Sequence, residues 1–265
     1  MYTLYGTEGE EDDTRGLLPR FAEDIFASFD KQRRENSSLS CELEAIDISS
    51  ETYVDLLASR RNANISISGV NNNNNNNSKD ELKLIHTELG PKLQGVRTVE
   101  VKNANDLIKL FAQLHRIASK RTSTHTIKLL FTETFEFDNP DESLQPIRKS
   151  RRVRVLFVLL RNMPSAFLRC VDVAVEHDSG ENPLAKVPIR ESAFTKLYPD
   201  ILQQGFLLNM VCCISPYYEH VRENFNTMLF AMKVKRLLCM PKLIEDESLV
   251  AMRRLADEVK NLRLA

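Results

Sequence analysis

The residues of this chain that could do chemistry are few. Ser119-Lys120-Arg121-Thr122-Ser123-Thr124-His125 is a polar run of hydroxyls and cations ending on a histidine. Histidine titrates near neutrality and can serve as a general base. His125 has no carboxylate near it in the local sequence, however, and a single histidine at the start of a strand reads as structural. Lys233, Lys235 and Arg236 cluster where a helix should end. They either complement the negative end of that helix or belong to a patch for an acidic partner. A phosphate cradle needs backbone N–H groups from a glycine-rich loop, a lysine and a magnesium-binding hydroxyl. The chain has eight glycines and no Gly-Lys-Ser/Thr triplet.

Composition narrows the classes further. The 265 residues make one large domain or two small ones, with enough chain for a sizeable core. Lys and Arg (36) nearly cancel Asp and Glu (37), so there is no global pull toward nucleic acid. An acidic polymer would have to meet a local basic patch. The five cysteines lack metal-ligand spacing and suit a reduced, intracellular protein. No apolar run reaches the roughly 20 residues that span a bilayer, so neither a membrane nor nucleic acid is an expected partner.

The elements that must position these residues follow from periodicity. Leu18, Phe21, Ile25 and Phe29 recur on one helix face behind Pro19. Leu39 to Ile48 alternates as a strand, with Leu39, Cys41, Leu43 and Ala45 on one side. Residues 58–80, holding seven consecutive asparagines, have nothing to bury and read as a disordered insertion. Asn103 to Ser119 is an amphipathic helix with Leu107, Leu110, Phe111 and Leu114 inward. Thr126 to Phe137 and Arg152 to Leu160 form a hairpin around Asn139-Pro140-Asp141. Ser165 to His177 is a helix. Phe194, Leu197, Ile201 and Leu202 recur at helical spacing, and Phe206 to Ile214 is a continuous apolar run expected to form a strand buried on both faces. A last helix from Tyr218 carries Val221, Phe225, Leu229 and Met232 on one side. Met252, Leu255, Val259 and Leu262 follow a spacing that suits a nascent heptad helix.

Three motifs in order carry a resemblance. Val187-Pro188-Ile189-Arg190-Glu191-Ser192, Cys213-Ile214-Ser215-Pro216 and Glu223-Asn224-Phe225-Asn226-Thr227-Met228-Leu229-Phe230-Ala231 resemble VPYRDSKLTRLL, the ISP strand end and ETLSTLRFA of the kinesin motor domain. Gly16 to Phe26 is similar to GIIPRALEDIF of that family, and Ile46 to Leu57 to EIYNEKVYDLL. Tyr2-Thr3-Leu4-Tyr5-Gly6 resembles the TYTMxG that follows the family's phosphate loop.

The resemblance implies an α/β fold, a mixed central sheet with helices on both faces, lacking the first strands and the P-loop. It implies a partial motor domain over residues 1–238, and a neck linker with the start of a coiled-coil neck helix over 239–265. The family hydrolyses ATP with magnesium and moves on microtubules. This chain departs from it at both switches. The first, NxxSSRSH, survives as Thr122, Thr124 and His125, with Ser123 where the arginine belongs. In the second, DxAGxE, Leu159 replaces the aspartate and Asn162 the glycine. Val171-Asp172-Val173-Ala174 imitates that motif, but Leu168, Val171 and Val175 have helical spacing, so the segment reads as the family's microtubule-facing helix with Arg169 outward. No catalytic residue, metal ligand or bound cofactor is therefore expected. Microtubule contacts are expected at Arg169, Arg190, Lys196, Lys233, Lys235 and Arg236, in the cytoplasm on the cytoskeleton. The alternatives are part of an active ATP-dependent motor, or a non-motor partner of an intact kinesin through the neck helix.

Overall fold

The computed structural model describes residues 2–6, 14–32, 37–49, 51–58, 82–87, 90–137, 147–161, 165–203 and 205–241. The Asn-rich insertion, the Asn139-Pro140-Asp141 turn, Asn162 and the expected neck helix lie outside the described residues. The helices are α1 (Tyr2–Tyr5), α2 (Leu17–Gln32), α3 (Ala104–Ala118), α4 (Ser165–Asp178), α5 (Ala193–Leu197) and α6 (Val221–Val234). The strands are β1 (Ser37–Ser49), β2 (Thr52–Asp55), β3 (Lys83–Thr87), β4 (Gly90–Gln94), β5 (Val99–Val101), β6 (Thr124–Phe137) and β7 (Ile147–Leu159).

One sheet runs β2-β1-β6-β7, with β5 pairing β1 beside β2, and every pairing described in it is antiparallel. Alternation along β1 divides the core. Cys41, Leu43 and Ala45 point to one face, where they meet Leu129 and Phe131 of β6, Leu18 and Ala22 of α2, and Leu107, Leu110, Phe111 and Leu114 of α3. Ile46 and Ile48 point to the other, against Phe167 and Val171 of α4, Phe194 of α5 and Phe230 of α6. Helices therefore cover both faces, as the sequence pattern requires. Asn103 caps α3 by accepting a hydrogen bond from the Asp106 N–H at 2.9 Å.

Asp55 ties the chain together around the insertion. Its carboxylate accepts from the N–H groups of Leu57 (2.7 Å), Ala58 (3.3 Å) and Arg97 (2.7 Å), on both sides of residues 59–81. Burial raises the carboxyl above its usual range, and these three donors oppose the rise. Beyond it, β3 and β4 form a separate hairpin that closes on Gly90, whose φ of 110° favours glycine. The sequence pattern did not reveal this hairpin.

Two expectations fail. Phe206–Ile214 is not a strand; it runs without a pairing partner among the described strands, and Leu207, Val211 and Ile214 are 71%, 62% and 59% exposed. An apolar run becomes a doubly buried strand only if strands flank it on each side, and none of the described strands does. The helix expected from Phe194 through Leu202 is broken as well. Pro199 has no N–H to continue α5, so Pro199–Ile201 turns as a separate 3-10 segment.

Candidate functional site

The candidate site grows from the end of β1 that faces the polar run before β6. Register places Asp47 of β1 opposite His125 of β6, and His125 opposite Leu159 of β7, three residues in line across three strands. Asp47 and His125 are 1% and 2% exposed. The Asp47 carboxylate accepts from Arg121 Nη1 at 2.6 Å and from Ser123 Oγ, and His125 Nδ1 lies 3.0 Å from its Oδ1. The imidazole approaches the carboxylate without the strict alignment of a hydrogen bond, and neither ring nitrogen finds an aligned partner among the described residues. Arg161, just past β7, donates to the Arg121 carbonyl oxygen and closes the cluster. Burial lowers the His125 pKa; Asp47 opposes that shift and Arg161 adds to it. The ring is neutral at pH 7.

This arrangement decides what the remnant of the first switch can do. Thr124 is buried and Thr122 exposed, whereas Arg121, Ser123 and His125 are all directed at one carboxylate. His125 is thus enclosed, with no solvent path to a substrate proton. Leu159 offers a hydrocarbon beside it. Sequence reading missed Asp47 because the partner carboxylate comes from another strand. The β1–β6 register would have found it.

α1 is anchored close by. The Tyr5 ring stacks on His115 of α3 at 4.9 Å between centroids, and burial pushes its phenol up to about 12.

The six expected microtubule contacts fall on α4, α5, α6, the turn before α5 and the turn after α6. Four of them are paired: Arg169 with Glu191 (2.7 Å), Lys196 with Glu51 (2.8 Å), Lys233 with Asp172 (2.6 Å) and Arg236 with Glu181 (3.2 Å). Arg190 and Lys235 are exposed and have no ion pair among the described residues. The Asp172 pairing also shows that Val171-Asp172-Val173-Ala174 lies inside α4 with its carboxylate outward. Beside Arg190 and Lys196, the β3–β4 hairpin leaves a cavity of about 460 Å³ that Leu84, His86 and Pro91 also line.

Fold and site together define an α/β domain with an antiparallel-paired sheet covered by helices on both faces. The kinesin motor domain family model matches residues 1–128. The chain aligns with kinesin-like proteins along nearly its whole length. It is 24% identical over 283 residues to the kinesin-like protein KIF1A of Rattus norvegicus and 22% over 290 to KIF13B of Homo sapiens, each alignment covering 99% of the chain. It spans only 16% and 15% of those proteins. Among solved structures, KIF14[391-772], a dimer in its two-heads-bound state with AMP-PNP in complex with a microtubule, matches with a TM-score of 0.69 at 19% identity. That match covers 95% of this chain and 75% of the other. The family model stops short of Val187–Arg236, where the motif resemblance is densest, whereas the full-length alignments include it.

Proposed function

We propose that these 265 residues form a microtubule-binding, kinesin-like domain of the cytoplasmic cytoskeleton that does not itself hydrolyse ATP. The observation that carries the reading is the engagement of Arg121, Ser123 and His125 by Asp47. Phosphoryl transfer depends on positioning a metal, a water and the γ-phosphate at once. In this chain the hydroxyl and cation nearest the family's first switch are held by an internal carboxylate, and Leu159 cannot bind a metal. The residues present therefore do not fit ATP and magnesium, and no step is routed through them.

The binding half rests on the cationic residues of α4, α5 and α6 and on the microtubule complex of the KIF14 fragment. The six cations and their four carboxylate partners leave a face with a small positive excess. Such a face should hold an acidic polymer weakly and lose it as the Debye length shrinks from ~10 Å at 0.1 M salt to ~3 Å at 1 M.

Co-pelleting of the purified chain with microtubules, alongside a phosphate-release assay, tests both halves. Expected are salt-sensitive pelleting that ignores nucleotide, loss of pelleting in Arg190→Glu/Lys196→Glu, and no microtubule-stimulated phosphate release. Micromolar nucleotide affinity or stimulated turnover would overturn the first half. Failure of the folded chain to pellet at low salt would overturn the second.

A further inference from the structure

The cavity beside the β3–β4 hairpin combines hydrocarbon walls with cations of one sign. Its volume of about 460 Å³ lies within the ~300–1,000 Å³ of small-molecule pockets. Side-chain alternation makes one wall. Leu84 and His86, two residues apart on β3, share a face, and register sets Leu93 and Pro91 of β4 opposite them. Leu93 is buried in the core cluster that contains Phe194 and Leu197 of α5. Leu84 and Pro91 are half-buried and His86 is exposed, and these three line the cavity.

The other wall is Ile189, Arg190, Lys196, Pro199 and Gln203. Hydrogen bonds hold its backbone in place. Thr195 Oγ1 donates to the carbonyl oxygens of Ile189 (2.7 Å) and Ser192 (3.1 Å). The Ser192 hydroxyl accepts from the Phe194 N–H at 3.2 Å, and the Tyr53 hydroxyl donates to the Ala193 carbonyl oxygen at 2.8 Å. Pro91 and Pro199 have no rotamers to freeze on binding. A wall ordered in advance lowers the entropy cost of taking a ligand.

Charge and shape together select the ligand. His86, Arg190 and Lys196 line the cavity, and among the described residues no carboxylate does. Lys196 is shared with Glu51 at 2.8 Å, whereas Arg190 has no ion pair among the described residues. One carboxylate would satisfy the Arg190 fork alone. A phosphate monoester carries about −1.5 to −2 charge at neutral pH and three terminal oxygens, enough for that fork and a further donor. Leu84, Pro91, Ile189 and Pro199 call for a hydrocarbon body, and a rigid ring covers them with few rotors to freeze.

We propose that this cavity binds an aryl phosphate, with the ring against Leu84, Pro91, Ile189 and Pro199 and the phosphate on Arg190, Lys196 and His86. Two sources present that chemistry: a phosphotyrosyl peptide and a free aryl phosphate. The site does not rest on microtubule binding, and its test contains no tubulin.

The whole 265-residue chain is titrated with phenyl phosphate, inorganic phosphate and benzoate in 0.1 M salt, followed by calorimetry and by amide shifts in NMR spectra. Expected is binding of phenyl phosphate at least tenfold tighter than of either other anion, with shifts at residues 84–92 and 189–199. Arg190→Gln alters an exposed side chain and should weaken phenyl phosphate at least tenfold while leaving the circular dichroism spectrum unchanged. Equal binding of inorganic phosphate would show that the apolar walls contribute nothing, and equal binding of benzoate that the dianion does not matter; either would overturn the assignment. So would no binding, shifts elsewhere, or full affinity in Arg190→Gln. A capped Gly-Gly-phosphotyrosine-Gly-Gly peptide separates the sources. Tighter binding than phenyl phosphate assigns the site to a phosphorylated polypeptide, and weaker binding to a free aryl phosphate.

Discussion

Asp47 and His125 face each other across β1 and β6 with 3.0 Å between Oδ1 and Nδ1, and neither reaches solvent. The pair explains why the one histidine that could have served as a base is structural. A buried carboxylate with an arginine, a hydroxyl and an imidazole around it joins the polar run before β6 to the sheet. It leaves none of these groups free for a ligand.

His125 gives the fold an acid-side dependence. Its folded pKa lies below the unfolded value of ~6.5, so the unfolded chain binds the extra proton first. The contribution of neutral His125 is complete above the unfolded pKa and is lost as pH falls toward the folded one. Thermal melts of the native chain should therefore lose stability below about pH 6.5. In His125→Asn that slope should flatten over the same range. Equal slopes in the two proteins would show that the ring titrates normally.

Removing Asp47 should cost more than removing any one of its partners. Asp47→Ala leaves Arg121 without its counter-charge and strips Arg121 and Ser123 of their acceptor, a loss of about 3 kcal/mol in urea unfolding. Arg121 is partly exposed and can turn to water, so Arg121→Ala should cost about 1 kcal/mol. The double variant should fall short of the sum by at least 0.5 kcal/mol or so, because the two side chains touch. Strict additivity would mean that the contact contributes nothing.

Phe131 is the centre of the α2 side of the core. Its ring is fully buried and meets Phe21, Phe26 and Phe29 at centroid distances of 6.4, 6.3 and 5.8 Å. Phe131→Ala opens a cavity between strand and helix that three rings cannot easily refill, so about 3–5 kcal/mol should be lost. Phe225→Ala, on the exposed side of α6, should change stability by no more than about 0.5 kcal/mol. Calorimetry on both variants checks the contrast.

How far the sequence specified this structure depends on whether the signal was local. The faces of α2 and α3, the alternation of β1 and the β6–β7 hairpin are short-range periodicities, and they stand where the pattern puts them. The Asp47–His125 pairing was invisible because register between strands distant in sequence is a tertiary property. The β3–β4 hairpin was missed because Pro91 and two lysines hide its alternation. Phe206–Ile214 fails for another reason. A run of apolar residues records a preference for burial, whereas strand formation needs a neighbouring backbone, which the run itself cannot report. α6 shows the same limit: Val221, Phe225, Leu229 and Met232 share a face as expected, yet that face is exposed, and Phe230 on the opposite side makes the core contact.

The cationic face yields a prediction in which acidic residues matter as much as basic ones. Arg169, Arg190, Lys196, Lys233, Lys235 and Arg236 carry six positive charges, and Glu51, Asp172, Glu181 and Glu191 return four negative ones, a net of two. These are exposed pairs, each contributing at most about 1 kcal/mol to the fold, so breaking them should leave the melting temperature nearly unchanged. Glu51→Gln with Glu181→Gln doubles the net charge and frees Lys196 and Arg236. Microtubule affinity at 0.05 M salt should rise by roughly threefold to tenfold. Arg190→Gln with Lys235→Gln removes the net charge and should weaken binding by a similar factor. Both effects should fade toward 0.5 M salt as screening shortens the range of the field. Unchanged pelleting in the carboxylate double variant at low salt would place the microtubule contact on another face.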